Sequence, residues 1–185
     1  EPLPDIWLLF APVKRARLDF IAQKATEMGA AVIQPVITER TVVTRLKDER
    51  LQANAVEAAE QCGILAVPEV RDMVTFDAML AGWDPARRLI FCDESAETNN
   101  PLPILERVEE RQLGLLVGPE GGWADEELAL MQEYGLQTVR FGRRVLRTET
   151  AGIALMRSDP RLVPEAIRIA RATLRKIREN LVFAF

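Results

Sequence analysis

The sequence predicts an α/β fold with a layered, mostly parallel sheet, and two patterns predict it. Compact apolar runs such as IWLLF at Ile6–Phe10 and LGLLV at Leu113–Val117 are typical of buried parallel strands. Segments with apolar residues at three- and four-residue spacing lie between such runs, and glycines follow several of them. Strands and helices that alternate along the chain indicate an α/β sheet.

The first elements are predicted to be a strand, a helix and a second strand. Ile6–Phe10 is wholly apolar, which favours a buried strand. Residues 14–28 repeat apolar side chains at helical spacing, and Gly29 is the residue expected just beyond the helix end. Residues 31–37 are expected to form a strand in which Pro35 requires a sheet edge or a strand end, because proline cannot donate to a ladder.

The middle of the chain is predicted to form shorter elements. An alanine-rich helix over residues 49–61 ends before Gly63, a short strand lies within residues 68–74, and a short helix within residues 75–80. Residues 99–103, NNPLP, are expected to be a loop. The remaining predicted elements are strands at residues 89–92, 113–117 and 138–141, and helices at residues 125–134 and 148–157.

The composition limits the kinds of site that the chain can carry. A length of 185 residues suits one domain, or one domain with an extension, and a net charge of −4 means that any nucleic-acid contact must be local. The absence of histidine, with only Cys62 and Cys92, excludes the usual Cys/His zinc site and a histidine-based triad, so no metal is expected. Two thiols without CxxC spacing favour a reducing compartment, and no signal peptide or membrane-spanning run is visible, so we expect a cytoplasmic protein.

A glycine-rich loop follows the strand at Leu113–Val117. In LLVGPEGGWADEE, residues 115–127, three glycines stand between an apolar run and a helix start. A strand that turns into a helix in this way is a common ligand position in α/β sheets. The loop matches neither GK[ST] nor GxGxxG, so the known phosphate motifs do not apply, and a tight turn without a ligand is the alternative.

A second loop follows the next predicted strand. FGRRVLRTETAG, residues 141–152, again places a glycine after a short strand, then arginines, then a Thr/Glu/Thr helix entry. Alone, this stretch indicates a capped helix with surface arginines. Because a single helix separates the two loops, they are expected to form one pocket at the edge of the sheet.

Five blocks of the sequence resemble the RsmE-type ribosomal RNA uridine-N3 methyltransferases of the SPOUT superfamily. The blocks are QKATEMGA at residues 23–30, QPVITERTVV at residues 34–43, EAAEQC at residues 57–62, GPEGG at residues 118–122 and the loop at residues 141–152. They occur in the order of the family. The resemblance implies an α/β fold of the SPOUT type, a mostly parallel sheet with helices on both faces and a C-terminal trefoil knot. Residues 1–157 would form the methyltransferase domain.

The resemblance also implies that S-adenosylmethionine lies against the backbone of the knot loops, where bare glycines leave room for it. The cofactor-binding residues implied in this way are Phe91, Asp93, Glu94, Val117, Gly118, Pro119, Glu120, Gly121, Gly122, Phe141, Gly142, Val145, Leu146, Thr148, Thr150 and Ala151. Glu120 has an alternative role, in which it pairs with an arginine and holds its loop.

Two residues are predicted to carry the chemistry. Uracil N3 must lose its proton as it attacks a sulfonium methyl group, so negative charge develops on the base and a fixed cation helps. Arg147 is our choice for that cation, with a surface ion pair as its alternative. Glu149 is the candidate general base, with a structural role near the positive end of a helix, or proton loss to water, as alternatives.

The chain departs from the family pattern in four places. Ala124 stands where the family has a Ser or Thr helix cap, so Asp125 is expected to cap instead, and Ile64 replaces an arginine. The family's N-terminal PUA-like barrel is expected to be absent from this chain. Residues 158–185 form an extension of unclear role, whose predicted helix at residues 164–180 either packs on the body or presents basic side chains to RNA.

The partners implied are the small ribosomal subunit or its RNA and a second copy of the chain, because the family completes its site across a two-fold dimer. Without a barrel, the predicted RNA contacts are Arg40, Arg45, Arg143 and Arg144. Two other functions are open at this stage: methylation of another RNA such as transfer RNA, and a non-catalytic RNA-binding or ribosome-assembly role.

Overall fold

The protein is described here by a computed structural model, which covers residues 5–43, 45, 46, 48–96, 100–108, 110–141 and 146–156. Within these residues the chain forms seven strands in one sheet. The strands are β1 (Ile6–Phe10), β2 (Val32–Ile37), β3 (Glu69–Val70), β4 (Val74–Thr75), β5 (Arg88–Cys92), β6 (Leu113–Val117) and β7 (Gln137–Val139). The helices are α1 (Arg15–Glu27), α2 (Asp48–Cys62), α3 (Phe76–Ala81), α4 (Leu102–Leu105), α5 (Asp125–Glu133) and α6 (Thr148–Met156).

The sheet is parallel throughout these strands, in the order β3-β2-β1-β6-β5-β7, with β4 continuing the outer side of β2. β1 and β6 lie at the centre, and Leu8 is level with Ile33 of β2 and with Leu115 of β6. The predicted α/β fold with a mostly parallel sheet is therefore confirmed. All carboxyl ends of the strands meet at one edge of the sheet, and this fact positions the site.

Helices cover both faces of the sheet because the strand residues alternate between two cores. Leu8, Phe10 and Leu115 pack with side chains of α1, α2, α4 and α6. Leu9 and Leu116, their direct neighbours in sequence, pack with side chains of α3 and α5 on the other face. Burial on both faces explains why these strands are continuous apolar runs and not alternating ones.

Pro35 corrects the predicted edge position of its strand. β2 has neighbours on both sides, and Pro35 is level with Phe10 of β1. The carbonyl groups of Ala31 and Ile33 accept hydrogen bonds from the β3 side. Backbone groups of every second residue in a strand point to the same side, so the Pro35 nitrogen also faces the β3 side. There β3 has ended at Val70 and β4 has not begun, so the missing N–H leaves no gap in a ladder.

Three other element predictions are also corrected. The strand expected within residues 68–74 is two short strands, because the chain leaves the sheet between them, where Gln34 Nε2 donates to the carbonyl oxygen of Asp72 at 2.6 Å. The loop expected at residues 99–103 runs into the short helix α4 at Leu102. The strand expected at residues 138–141 begins and ends earlier, as β7.

Several predictions fall on residues outside the described ranges. The helix predicted at residues 164–180 lies there, as does the whole extension at residues 158–185. The trefoil knot depends on the path between β7 and α6, which includes residues 142–145, also outside the described ranges. In the part of the chain that the structure covers, no helix is both long and apolar enough to cross a membrane.

Candidate functional site

A cavity of about 330 Å³ opens at the carboxyl edge of the sheet, beyond the ends of β5, β6 and β7. This volume is in the range of small-molecule and cofactor sites. The cavity is lined by Arg17, Cys92, Asp93, Glu94, Val117, Gly118, Pro119, Glu120, Gly122, Trp123, Val139, Arg140, Phe141, Leu146, Arg147, Thr148 and Ala151. The loop at residues 118–122 and the described residues before α6, which are Phe141, Leu146 and Arg147, thus line one cavity.

Most of the predicted cofactor-binding residues lie in its wall. They are Asp93, Glu94, Val117, Gly118, Pro119, Glu120, Gly122, Phe141, Leu146, Thr148 and Ala151. Arg147, the predicted cation, also lines the cavity. Gly142 and Val145, together with Arg143 and Arg144 of the predicted RNA contacts, lie outside the described residues.

Three predicted cofactor-binding residues do not line the cavity. Phe91 points to the α3 and α5 face, where its ring meets Trp123 edge-on with 6.2 Å between centroids, because side chains alternate along β5. Thr150 is exposed on α6, about half a helical turn from the cavity face that carries Thr148 and Ala151. Gly121 lies against Arg40 and outside the cavity wall.

Five residues of the wall were missed from sequence: Arg17, Cys92, Trp123, Val139 and Arg140. Cys92 and Val139 end β5 and β7, so the position of a strand end was a usable signal for them. Arg17 comes from α1, about a hundred residues before the loop that it contacts. Only the packing of α1 against α6 brings it there, and no local pattern marks it.

Each glycine of the loop at residues 118–122 has an intramolecular reason to lack a side chain. A Cβ on Gly118 would lie 2.7 Å from Cε2 of Trp123, and Gly122 has φ +72°, a left-handed conformation. A Cβ on Gly121 would lie 3.3 Å from Cβ of Arg40. The bare backbone therefore serves packing within the protein, in addition to any room that it leaves for a ligand.

Two hydrogen bonds join the walls of the cavity. The Trp123 indole Nε1 donates to the carbonyl oxygen of Cys92 at 3.1 Å, which ties the loop to the end of β5. The Thr148 hydroxyl donates to the carbonyl oxygen of Gly118 at 3.0 Å, which ties the first turn of α6 to the same loop. The loop is therefore held from two sides by groups of the protein itself.

The start of α5 corrects the predicted cap. Ala124 is the N-cap residue and Asp125 is the first helical residue, so Asp125 does not cap the helix. Ala124 has no side-chain acceptor, and only the reciprocal half of a capping box remains, because Glu127 Oε2 accepts from the Ala124 N–H at 3.0 Å. The Glu127 carboxylate gives the backbone N–H of the N-cap residue Ala124 an acceptor. The helix therefore keeps its N-cap at position 124, where the family has Ser or Thr.

Four charged side chains cluster at one side of the cavity. Arg17 Nη1 donates to Glu120 Oε1, as in the sequence alternative in which Glu120 pairs with an arginine. Arg17 Nε also lies 3.6 Å from Glu149 Oε1, and Arg147 Nη1 lies 3.9 Å from the same oxygen. Arg17 thus connects the loop at residues 118–122 to the first turn of α6.

Glu149 is nine-tenths buried and does not line the main cavity. Its side chain is 9% exposed, and its Oε2 has no hydrogen-bond partner among the described residues. It faces a small void of about 10 Å³ between α6, α1 and β1. Arg147 is 70% exposed, so its guanidinium remains able to reach a bound substrate.

Cys92 lines the cavity as a neutral thiol. Burial raises the pKa of this thiol far above its ordinary value, and the negative charge of Asp93 raises it further. A thiol that stays protonated is a poor nucleophile.

The predicted RNA contacts are placed differently from one another. Arg40 donates from Nη1 to the carbonyl oxygen of Gly121 at 3.1 Å, so part of its guanidinium is engaged by the cavity loop. Arg45 is exposed. An RNA-binding role stays a prediction for both.

The sequence matches the RNA methyltransferase domain family over residues 1–158. It is 35% identical over 158 residues to a protein of Synechocystis named "Ribosomal RNA small subunit methyltransferase E", with 81% of this chain and 50% of that protein covered. The chain therefore spans about half the length of that relative.

Two solved structures of methyltransferases have folds similar to that of this chain. The crystal structure of a ribosomal RNA small subunit methyltransferase E from Neisseria gonorrhoeae, bound to S-adenosyl methionine, is similar with a TM-score of 0.72 at 34% identity, covering 84% of this chain and 64% of that chain. The SpoU methyltransferase AviRb from Streptomyces viridochromogenes has a TM-score of 0.57 at 14% identity, covering 89% of this chain and 62% of that chain. The second likeness concerns the fold alone.

Proposed function

The chain belongs to the RNA methyltransferase domain family, and we propose that it transfers a methyl group from S-adenosylmethionine to N3 of a specific uridine in small-subunit ribosomal RNA. The observation that carries the proposal is the cavity at the carboxyl edge of the sheet, walled by the GPEGG loop and the first turn of α6. The names of relatives such as the Synechocystis protein support the ribosomal target, and the bound ligand of the Neisseria structure supports the cofactor.

The cavity wall suits S-adenosylmethionine by its chemistry. Apolar surface from Val117, Phe141 and Leu146 suits the face of an adenine ring. Asp93 and Glu94 supply carboxylates, which accept hydrogen bonds from ribose hydroxyl groups and favour a nearby sulfonium cation. When bound there, the cofactor supplies an electrophilic methyl group.

Arg147 stabilises the negative charge that develops on uracil as N3 loses its proton. The guanidinium lines the cavity, is mostly exposed and lies 3.9 Å from Glu149 Oε1, too far for a hydrogen bond. A cation that is oriented but not bound tightly remains available to a uracil oxygen. Arg147 is therefore the catalytic residue of the proposal.

Glu149 orients the cations and does not remove the proton. It lies beside Arg17 and Arg147 and outside the cavity wall, so in this proposal it does not reach N3 of a uracil that meets the cofactor from the cavity mouth. With no histidine in the chain and Glu149 outside the cavity wall, we propose that the proton passes to water. This proposal favours two alternatives considered from sequence, a structural role for Glu149 and proton loss to water, over its role as general base.

The proposal extends to the assembly in which the site works. The resemblance implies a homodimer with a trefoil knot that completes the site across a two-fold axis. We propose that the protein works in the cytoplasm, which agrees with the free thiols of Cys62 and Cys92. Light scattering during size-exclusion chromatography tests the assembly, and the mass of a single chain would contradict it.

Two measurements separate this function from its alternatives. Calorimetric titration with S-adenosylmethionine is expected to give one site per chain, and no binding would favour a non-catalytic RNA-binding or assembly role. Mass mapping after incubation with labelled cofactor, unmodified small subunits and transfer RNA is expected to find the label only in the ribosomal RNA. Label in the transfer RNA would show that the target is misassigned.

A further inference from the structure

The turn after β2 is closed by its own hydrogen bonds. The Thr38 N–H donates to the Thr41 hydroxyl at 2.9 Å, and the Thr41 N–H donates to the carbonyl oxygen of Thr38 at 3.1 Å. The two hydroxyl groups lie 2.8 Å apart. The turn at residues 38–41 therefore has a fixed shape. It presents the Glu39 N–H to α5 and the Arg40 side chain to the loop at residues 118–122.

Glu127 joins this turn to the start of α5. Its side chain is buried, and both of its carboxylate oxygens accept backbone hydrogen bonds. Oε1 accepts from the Glu39 N–H at 2.8 Å, and Oε2 accepts from the Ala124 N–H at 3.0 Å. One carboxylate thus connects two segments that are far apart in sequence, and the cavity loop leads directly into the second of them.

Arg40 makes a second connection between the same segments. Its Nη1 donates to the carbonyl oxygen of Gly121, and its Cβ would lie 3.3 Å from a Cβ placed on Gly121. A Cβ at residue 121 would make a tight contact, so the turn or the loop would have to shift by a few tenths of an ångström. The turn, rather than the cavity, accounts for glycine at this position.

We propose that Glu127 is a positioning residue of the cofactor site, and that with Arg40 it holds the loop at residues 118–122 against the turn at residues 38–41. The proposal rests on the proposed function, since it concerns the affinity of the same cavity for S-adenosylmethionine. It also gives Arg40 a role that needs no RNA.

The first test changes the carboxylate without changing its shape. In Glu127→Gln, an amide NH₂ replaces one carboxylate oxygen, so the N–H of either Glu39 or Ala124 loses its acceptor. The control is Glu126→Gln, which removes an exposed charge from the same helical turn. We expect Glu127→Gln to raise the KM for S-adenosylmethionine by about 10-fold, with kcat at saturating cofactor changed by less than about 2-fold. Glu126→Gln should change neither. A purely structural role would lower kcat through loss of folded enzyme and leave the KM unchanged.

The second test uses Arg40, which is exposed and whose loss does not threaten folding. In calorimetry without RNA, Arg40→Ala should weaken S-adenosylmethionine binding by about 10-fold, by analogy with other lost hydrogen bonds. Arg111→Ala, which removes an exposed arginine at the other edge of the sheet, should leave it unchanged. Unchanged affinity in Arg40→Ala, or equal effects of Glu127→Gln and Glu126→Gln, would overturn the inference. Absence of binding by the unmodified protein would instead overturn the proposed function.

Discussion

At the scale of single residues, Gly118 and Gly152 show opposite tolerance for one added methyl group. A Cβ on Gly118 would lie 2.7 Å from the Trp123 ring, whereas a Cβ on Gly152 would meet Leu8 at 3.6 Å and Val117 at 3.8 Å, which are ordinary contacts. We expect Gly118→Ala to lower the free energy of unfolding by about 1–3 kcal/mol through overpacking. Gly152→Ala lies inside α6 and should raise it by up to about 1 kcal/mol. Denaturant unfolding of both variants measures the difference, and equal stabilities would mean that Trp123 does not pack on Gly118.

Loss of the Arg147 side chain should reduce methyl transfer without weakening the binding of S-adenosylmethionine. Arg147→Ala is expected to reduce the rate of methyl transfer about 100- to 1000-fold, as for loss of one oxyanion donor, while the Kd for S-adenosylmethionine changes little. Arg140→Ala is the matched control, because Arg140 lines the same cavity but donates to the carbonyl oxygen of Ala96 at 3.3 Å. Single-turnover kinetics and calorimetry give the two quantities. Parallel losses of both in Arg147→Ala would make Arg147 a structural residue.

Sequence patterns found most of the cavity residues that lie in the two loops, and they failed for Arg17, which is placed by tertiary packing. Gly118 and Arg147 belong to the two stretches that follow strands, so their position in the chain indicated them. Arg17 belongs to an ordinary amphipathic helix, and only the packing of α1 beside α6 makes it part of the wall. The choice of Phe91 over Cys92 failed because sequence alone did not decide which face of β5 turns toward the cavity.

At the scale of secondary-structure elements, α1 and α2 are joined by one carboxylate. Asp19 accepts from Arg50 Nε at 2.9 Å and Nη2 at 2.5 Å, and from Asn54 Nδ2 at 2.7 Å. The hydrogen bond from Arg50 lowers the pKa of the Asp19 carboxyl below its ordinary value, with smaller help from the charge of Arg50 and from Asn54. The group therefore binds a proton less readily in the folded chain than in the unfolded one.

This pairing predicts the pH dependence of stability. Because the folded-state pKa is depressed, the contribution of Asp19 is present above the unfolded value of about 3.9 and is lost as the pH falls through the folded value. We expect Asp19→Asn to have a lower thermal midpoint at pH 7 and a smaller further loss between about pH 5 and pH 2 than the unmodified protein. Asp72→Asn, which changes an exposed aspartate, serves as control. Identical pH profiles for Asp19→Asn and the unmodified protein would show that the ion pair does not stabilise the fold.

The long elements were predictable, whereas the short ones depend on contacts that sequence does not reveal. Leu113–Val117 is apolar on both faces, so its strand stands out from its surroundings. β3 and β4 have two residues each, and the Gln34 side chain lies opposite the break between them. Pro35 suggested an edge because proline usually marks one, but here its nitrogen faces that same break.

At the scale of the whole molecule, the acidic total makes RNA binding depend on a few basic side chains. Arg40, Arg45, Arg143 and Arg144 are the predicted phosphate contacts in a chain of net charge −4. Four contacts predict a slope of about −3 for log K against log salt concentration with single-stranded RNA. We expect weak binding of a short RNA at physiological salt and tighter binding of a structured ribosomal particle. Tight, salt-insensitive binding of the short RNA would place the RNA surface elsewhere, with the basic stretch at residues 164–180 as the first candidate.

The layered parallel sheet follows from the alternation of apolar runs and amphipathic segments, and the match to the RNA methyltransferase family agrees with the blocks that suggested it. The trefoil knot could not be derived from the pattern of elements, since threading depends on the path of the chain and not on its local preferences. The role of residues 158–185 likewise stays a prediction.

The transfer reaction itself tests the central claim most directly. The protein is incubated with isotopically labelled S-adenosylmethionine and small ribosomal subunits that lack the modification, and the RNA is digested and mapped by mass spectrometry. We expect label at N3 of one uridine, and at least about 100-fold less label with Arg147→Ala at equal cofactor occupancy. Label on another atom or another class of RNA, or no label from a folded protein that binds the cofactor, would contradict it.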